Sequence, residues 1–123
     1  MSRILVVDDD KPIREVVQAI LEGLGHEVVM AGNGQEALDQ LQQGGVEVMV
    51  TDIFMPEMEG LETIQQARKR FPGLKMIAMS GGVPRGPAMD YLGMARAFGA
   101  KRVLAKPFTA AELTAALEEA GVR

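Results

Sequence analysis

The chain has 123 residues, 47% hydrophobic and 24% charged, with a formal net charge of −4 and no cysteine. That length suits one domain around one core, the hydrophobic fraction is too high for a disordered chain, and disulfides and thiolate metal sites are excluded. Basic residues are scattered and aromatics amount to four Phe and one Tyr, so we expect neither a phosphate-tracking face nor a stacking platform for nucleic acid.

The start, MSRILVVDDD, carries an apolar run closed by three acids. It is too short for a signal peptide or a membrane span, which predicts a cytoplasmic protein with no membrane partner. Arg3 to Val7 reads as a strand, and Ile13, Val16, Val17, Ile20, Leu21 and Leu24 then recur at helical spacing. Asp10 can cap that helix, Pro12 suits its first turn, and Gly23 and Gly25 bracket its end. The cycle repeats with a strand from Glu27 to Ala31 and a helix from about Gly34 to Gln43, closed by Gly44 and Gly45. Val46 to Thr51 is a third strand, followed by a turn-rich stretch from Met55 to Gly60. A helix with Leu61, Ile64 and Ala67 inward then stops before Pro72. Leu74 to Met79 makes a fourth strand, Gly81 to Pro87 a loop, and Met89, Leu92, Met94 and Ala95 a helix reaching Phe98, capped by Gly99. Arg102 to Ala105 is a fifth strand, and Thr109 with Glu112 forms a capping box for a last helix through Leu113, Ala116 and Leu117.

Five strands alternating with five helices predict an α/β doubly wound fold, a parallel sheet covered on both faces. We expect one domain over residues 1–123, with no room for an output domain after the last helix. In such sheets ligands bind beyond the carboxyl ends of the strands. At those ends stand Asp8 and Asp9, Asp52, Ser80 and Lys106. Clustered carboxylates repel one another and invite a cation, and hard oxygen donors without Cys or His favour Mg²⁺, with Mn²⁺ as an alternative. A carboxylate can also attack a phosphoryl donor, provided positive charge neutralises the transferred oxygens. The metal and Lys106 could supply that charge, and the Ser80 hydroxyl could donate to a phosphate oxygen. Asp10 reads as a cap, not a ligand, and His26 as structural. Most of the nine methionines read as core filler.

The segments ILVVDDD, VMVTDIFMPEMEG, MIAMSGG and VLAKPF, in this order and spacing, resemble the response-regulator receiver domain over essentially the whole chain. The resemblance implies the flavodoxin-like strand order 2-1-3-4-5. It makes Asp52 the phosphoacceptor, with Asp9 a direct metal ligand, Asp8 acting mainly through metal-bound water and Phe54 offering its backbone carbonyl. Lys106 would pair with the phosphoryl group, its bond to Pro107 would be cis, and Ser80 would be the hydroxyl that moves toward the phosphate on activation. The partners implied are a histidine kinase or histidine phosphotransfer protein as donor and a further protein that reads the switch. The chain would then be no enzyme beyond assisting its own phosphorylation and dephosphorylation.

Two features depart from the family pattern. Val103 stands where an aromatic side chain often reports phosphorylation, and the segment between Ser80 and Lys106 is a few residues longer than usual. Two other readings compete: an interaction module that works without phosphorylation, and a haloacid-dehalogenase-type phosphatase. The second needs an Asp-x-Asp pair, which Asp8 and Asp10 formally provide, but Lys11 and Pro12 follow instead of a Thr. The lifetime of a phosphoryl group on Asp52 should depend on Phe54 and Gly82, since neither side chain can orient an attacking water. Replacing them with Asn and Glu is expected to speed phosphate release in Mg²⁺ about tenfold. A parent protein that already decays at the double mutant's rate would contradict this.

Overall fold

Unbroken burial along the first strand decides the architecture. In the computed structural model, which describes residues 2–52, 60–80, 102–105 and 108–121, β1 spans Arg3–Val7. Its residues Ile4 to Val7 are all fully buried, as in a parallel strand covered on both faces. The elements that follow are α1 (Lys11–Gly23), β2 (Glu27–Ala31), α2 (Gly34–Gln42), β3 (Val48–Asp52), α3 (Gly60–Arg70), β4 (Lys75–Ser80), β5 (Arg102–Ala105) and α4 (Ala110–Glu119). The helix expected from Met89 to Phe98 lies outside the described residues. All strand pairs are parallel, and the sheet order is β2-β1-β3-β4-β5, as the resemblance implied.

The period of two along each strand divides the core into two layers. Leu5, Val7, Met49, Met76 and Ala78 face α2 and α3, where Ala37, Leu38, Leu41, Ile64 and Ala67 meet them. Ile4, Val6, Val48, Val50, Ile77 and Met79 face α1 and α4, against Val17, Leu21, Leu113, Ala116 and Leu117. Met49, Met76 and Met79 are all buried, consistent with methionine as core filler.

Several details differ from the sequence reading, among them the fourth strand, which runs Lys75–Ser80 instead of Leu74 to Met79. The third strand runs Val48–Asp52 instead of Val46 to Thr51, because Gly44 and Gly45 both adopt positive φ, 87° and 85°, and the chain is still turning there. At its other end Asp52 is part of the strand, in register with Met79. On α1 only Val17 and Leu21 of the apolar stripe are buried. Val16, about 100° round the helix from Val17, is 59% exposed, and Leu24, at the helix cap, is 46% exposed.

The caps follow the sequence. Asp10 accepts from the Ile13 N–H at 3.4 Å. Thr109 and Glu112 form the reciprocal pair, with the Glu112 N–H donating to Thr109 Oγ1 at 3.0 Å and the Thr109 N–H to Glu112 Oε1 at 2.9 Å. Thr109→Ala is expected to destabilise the protein by about 1 kcal/mol, read as a lower urea midpoint at unchanged slope. An unchanged midpoint would mean that the box contributes nothing. His26 is structural, as expected: it is buried, and its Nδ1 accepts from the Ser2 N–H at 3.1 Å.

Candidate functional site

The strand order reverses between β1 and β3, since β2 lies outside β1 on one side while β4 and β5 extend from β3 on the other. Open parallel sheets form their binding crevice at such a point, beyond the carboxyl ends of the strands. Asp8 follows the last residue of β1, and Asp52 is the last of the neighbouring β3. Both continue the set that alternates toward α1 and α4, with Ile4 and Val6 on one strand and Val48 and Val50 on the other.

That parity brings the acids together. One carboxylate oxygen from each of Asp8, Asp9 and Asp52 lies within 4.8 Å of the others. Asp8 is fully buried and Asp52 is 5% exposed, whereas Asp9 faces solvent. Two ionised carboxylates at this separation repel by roughly 3 kcal/mol at an effective dielectric near 20, and a cation bound between them would offset that repulsion. The donor set is all oxygen and anionic, which fits a hard divalent ion such as Mg²⁺. The chain has no cysteine, and its single histidine precedes β2, at the opposite edge of the sheet.

The turn that carries Asp8 and Asp9 is tied from several directions. The Asp8 N–H donates to the Ala31 carbonyl at 3.2 Å, and the Asp10 N–H donates to Asp8 Oδ1 at 2.9 Å. Arg14 Nη1 donates to the Asp8 carbonyl at 2.6 Å. Sequence reasoning missed Arg14; its one available signal was its place one helical turn past the Asp10 cap. A cleft of about 620 Å³ opens over the three carboxylates and continues along α1 past Ile13, Val16 and Ile20 to Phe108, another residue the sequence did not single out.

Ser80 is the last residue of β4, in register with Ala105 at the end of β5, so both strands finish at the edge that bears the acids. Val103 lies within β5. Phe54, Gly82, Lys106 and Pro107 fall outside the described residues, as does the loop from Gly81 to Pro87. Among the described residues no helix is long and apolar enough to cross a membrane.

The family model for the response regulator receiver domain matches residues 4–118. This chain belongs to that family. Receiver domains of this kind are the phosphorylation-dependent modules of two-component systems, and acidic-pocket Mg²⁺ binding is a general feature of the family. The chemotaxis protein CheY of Listeria monocytogenes is 35% identical over 121 residues, covering 98% of both chains. The transcriptional regulator NtrC of Azospirillum brasilense is 37% identical over 119 residues, but this receiver spans only 24% of its length. Among solved structures, the response regulator protein TrrA from Thermotoga maritima, in complex with Mg²⁺ and BeF, superposes with a TM-score of 0.85 at 32% identity, covering 98% of this chain and 99% of that one.

Proposed function

We propose that this receiver is a phosphorylation switch in which Asp52 accepts a phosphoryl group from a histidine kinase or histidine phosphotransfer protein, and whose altered surface a further protein then reads. The observation that carries the reading is the convergence of Asp8, Asp9 and Asp52 at the point where strand order reverses. The reading treats residues 1–123 as one acting unit in the cytoplasm.

In the transfer, a carboxylate oxygen of Asp52 bonds to phosphorus as the P–N bond to the donor histidine breaks, and the released imidazole takes up a proton. Asp8, Asp9 and Asp52 would hold Mg²⁺ or Mn²⁺, with the Phe54 carbonyl as a further ligand, and the bound cation supplies positive charge against the phosphoryl oxygens. TrrA, solved with Mg²⁺ and BeF, supports this assignment. Lys106 is the residue assigned to pair with the transferred group, and Ser80 is assigned to donate its hydroxyl to it. The apolar α1 wall beside the acids suits a protein donor, which needs a surface to lie on as well as a charge to meet.

Asp10 counts against a dehalogenase-type phosphatase. Its side chain accepts from the Ile13 N–H, so the second acid of an Asp8-x-Asp10 pair is engaged as a helix cap. The convergence of three acids at the switch point of the sheet favours the phosphoacceptor reading over an interaction module.

The test is to incubate purified protein with a small phosphodonor such as acetyl phosphate, in Mg²⁺ and in chelator, and to map the product by mass spectrometry after trapping the acyl phosphate. A single phosphoryl group on the peptide containing Asp52, formed only with Mg²⁺, is the expected result. Label on another residue, or equal labelling in chelator, would sink the assignment.

A further inference from the structure

We propose that Arg14 is a positioning residue for the acidic site: its guanidinium fixes the turn between β1 and α1 in the shape that carries Asp8 and Asp9 onto Asp52. The inference rests on the reading of that cluster as a cation site.

Arg14 closes this turn twice. Its backbone N–H makes the first helical bond, to the Asp10 carbonyl at 3.0 Å, and its side chain reaches back past the cap to the Asp8 carbonyl at 2.6 Å. Everything between those two acceptors is the Asp8-Asp9-Asp10 segment. A carbonyl held by a charged donor is held more firmly than by a neutral one. Asp8 itself is further pinned through its N–H to Ala31 and through Oδ1 to the Asp10 N–H. Asp9, exposed, is the member of the cluster that relies most on the turn for its direction.

The space for the guanidinium comes from a different element. A Cβ built on Gly32, in the turn between β2 and α2, would lie 3.1 Å from Arg14 Nη1 and 3.6 Å from Glu36 Oε1. The Gly32 φ lies outside the left-handed region, so an alanine there meets no backbone penalty and acts mainly by pushing Arg14. The same turn is braced by Glu36 Oε1, which accepts from the Gly32 N–H at 2.9 Å. Gly32 is thus the floor on which Arg14 rests.

Positioning and simple charge predict opposite signs. Arg14 is a cation beside a cation site, so if it acted only through its charge, removing it would tighten Mg²⁺ binding. If it positions the turn, removing it weakens binding despite the more favourable field, by about tenfold, as outer partners of metal ligands commonly do.

The experiment uses the whole chain with Arg14→Gln, Arg14→Lys and Gly32→Ala, each checked for folding by circular dichroism. Mg²⁺ affinity is measured by calorimetry, and amide exchange is measured without metal. Arg14→Gln and Gly32→Ala are expected to weaken Mg²⁺ about tenfold and to lose little more when combined, whereas Arg14→Lys, which keeps a charged donor, should bind close to the parent. In metal-free protein the Asp10 amide, bonded to Asp8 Oδ1, should exchange on the order of tenfold faster in both variants. Unchanged exchange, or an Arg14→Gln protein that binds Mg²⁺ as well as or better than the parent, overturns the inference. A parent that binds no Mg²⁺ overturns the cation-site reading instead, and the metal-free exchange still decides whether Arg14 holds the turn.

Discussion

Asp52→Asn is expected to abolish phosphoryl labelling by acetyl phosphate and, in the same protein, to raise thermal stability in chelator. The two results have one cause. The amide has no carboxylate oxygen with which to attack phosphorus, so acceptance should fall by at least about a hundredfold. It also removes one charge from a cluster in which carboxylate oxygens lie within 4.8 Å of one another and two of the residues are buried. The relief is worth on the order of 1–3 kcal/mol, and in a domain of this size each kcal/mol moves the melting temperature by about 3–6 °C. Saturating Mg²⁺ should stabilise the parent, by about 2.7 kcal/mol at a hundred times its dissociation constant, and the variant much less. Melting curves with and without Mg²⁺ and mass spectra of trapped phosphoprotein provide both measurements. A variant that still takes label would remove Asp52 from its role. One that melts lower than the parent in chelator would show that the carboxylate contributes more through its local bonds than it costs in repulsion.

Leu5→Ala is expected to produce a large loss of stability, about 3–5 kcal/mol. Leu5 is fully buried, sits on β1 between Val29 of β2 and Met49 of β3, and packs in the layer formed with α2 and α3. Truncation there removes transfer energy and leaves a cavity that three strands in fixed register cannot collapse to fill. Val16→Ala is the control. Val16 belongs to the apolar stripe of α1 but is 59% exposed, and its loss should stay within about 0.5 kcal/mol. Urea unfolding at unchanged slope separates the two. A Leu5→Ala protein within 1 kcal/mol of the parent would mean that β1 is not the buried centre described above.

How far the sequence reaches can be seen residue by residue. Capping at Asp10 and at Thr109 with Glu112 was legible because it depends on neighbours three positions apart along one chain, and the structure shows those bonds. The strands were legible as short apolar runs, and their parallel arrangement followed from the helices between them. The exposure of Val16 was not legible, because periodicity marks a stripe but does not say how wide a strip the sheet covers. The start of β3 was misplaced by two residues, because two consecutive glycines at positive φ extend the turn before it.

The chemistry divides in the same way. The sequence by itself determined which residue types stand at the strand ends and therefore what a site there could do: three acids, no thiol and a hard-cation preference. Only the tertiary structure decided that Asp8 and Asp52, 44 positions apart along the chain, share one side of adjacent strands, and that Arg14 and Gly32 meet behind them. Local signals act over one helical turn or one strand. Convergence of distant carboxylates depends on sheet order and register, and these are set by the packing of two core layers that no single segment contains.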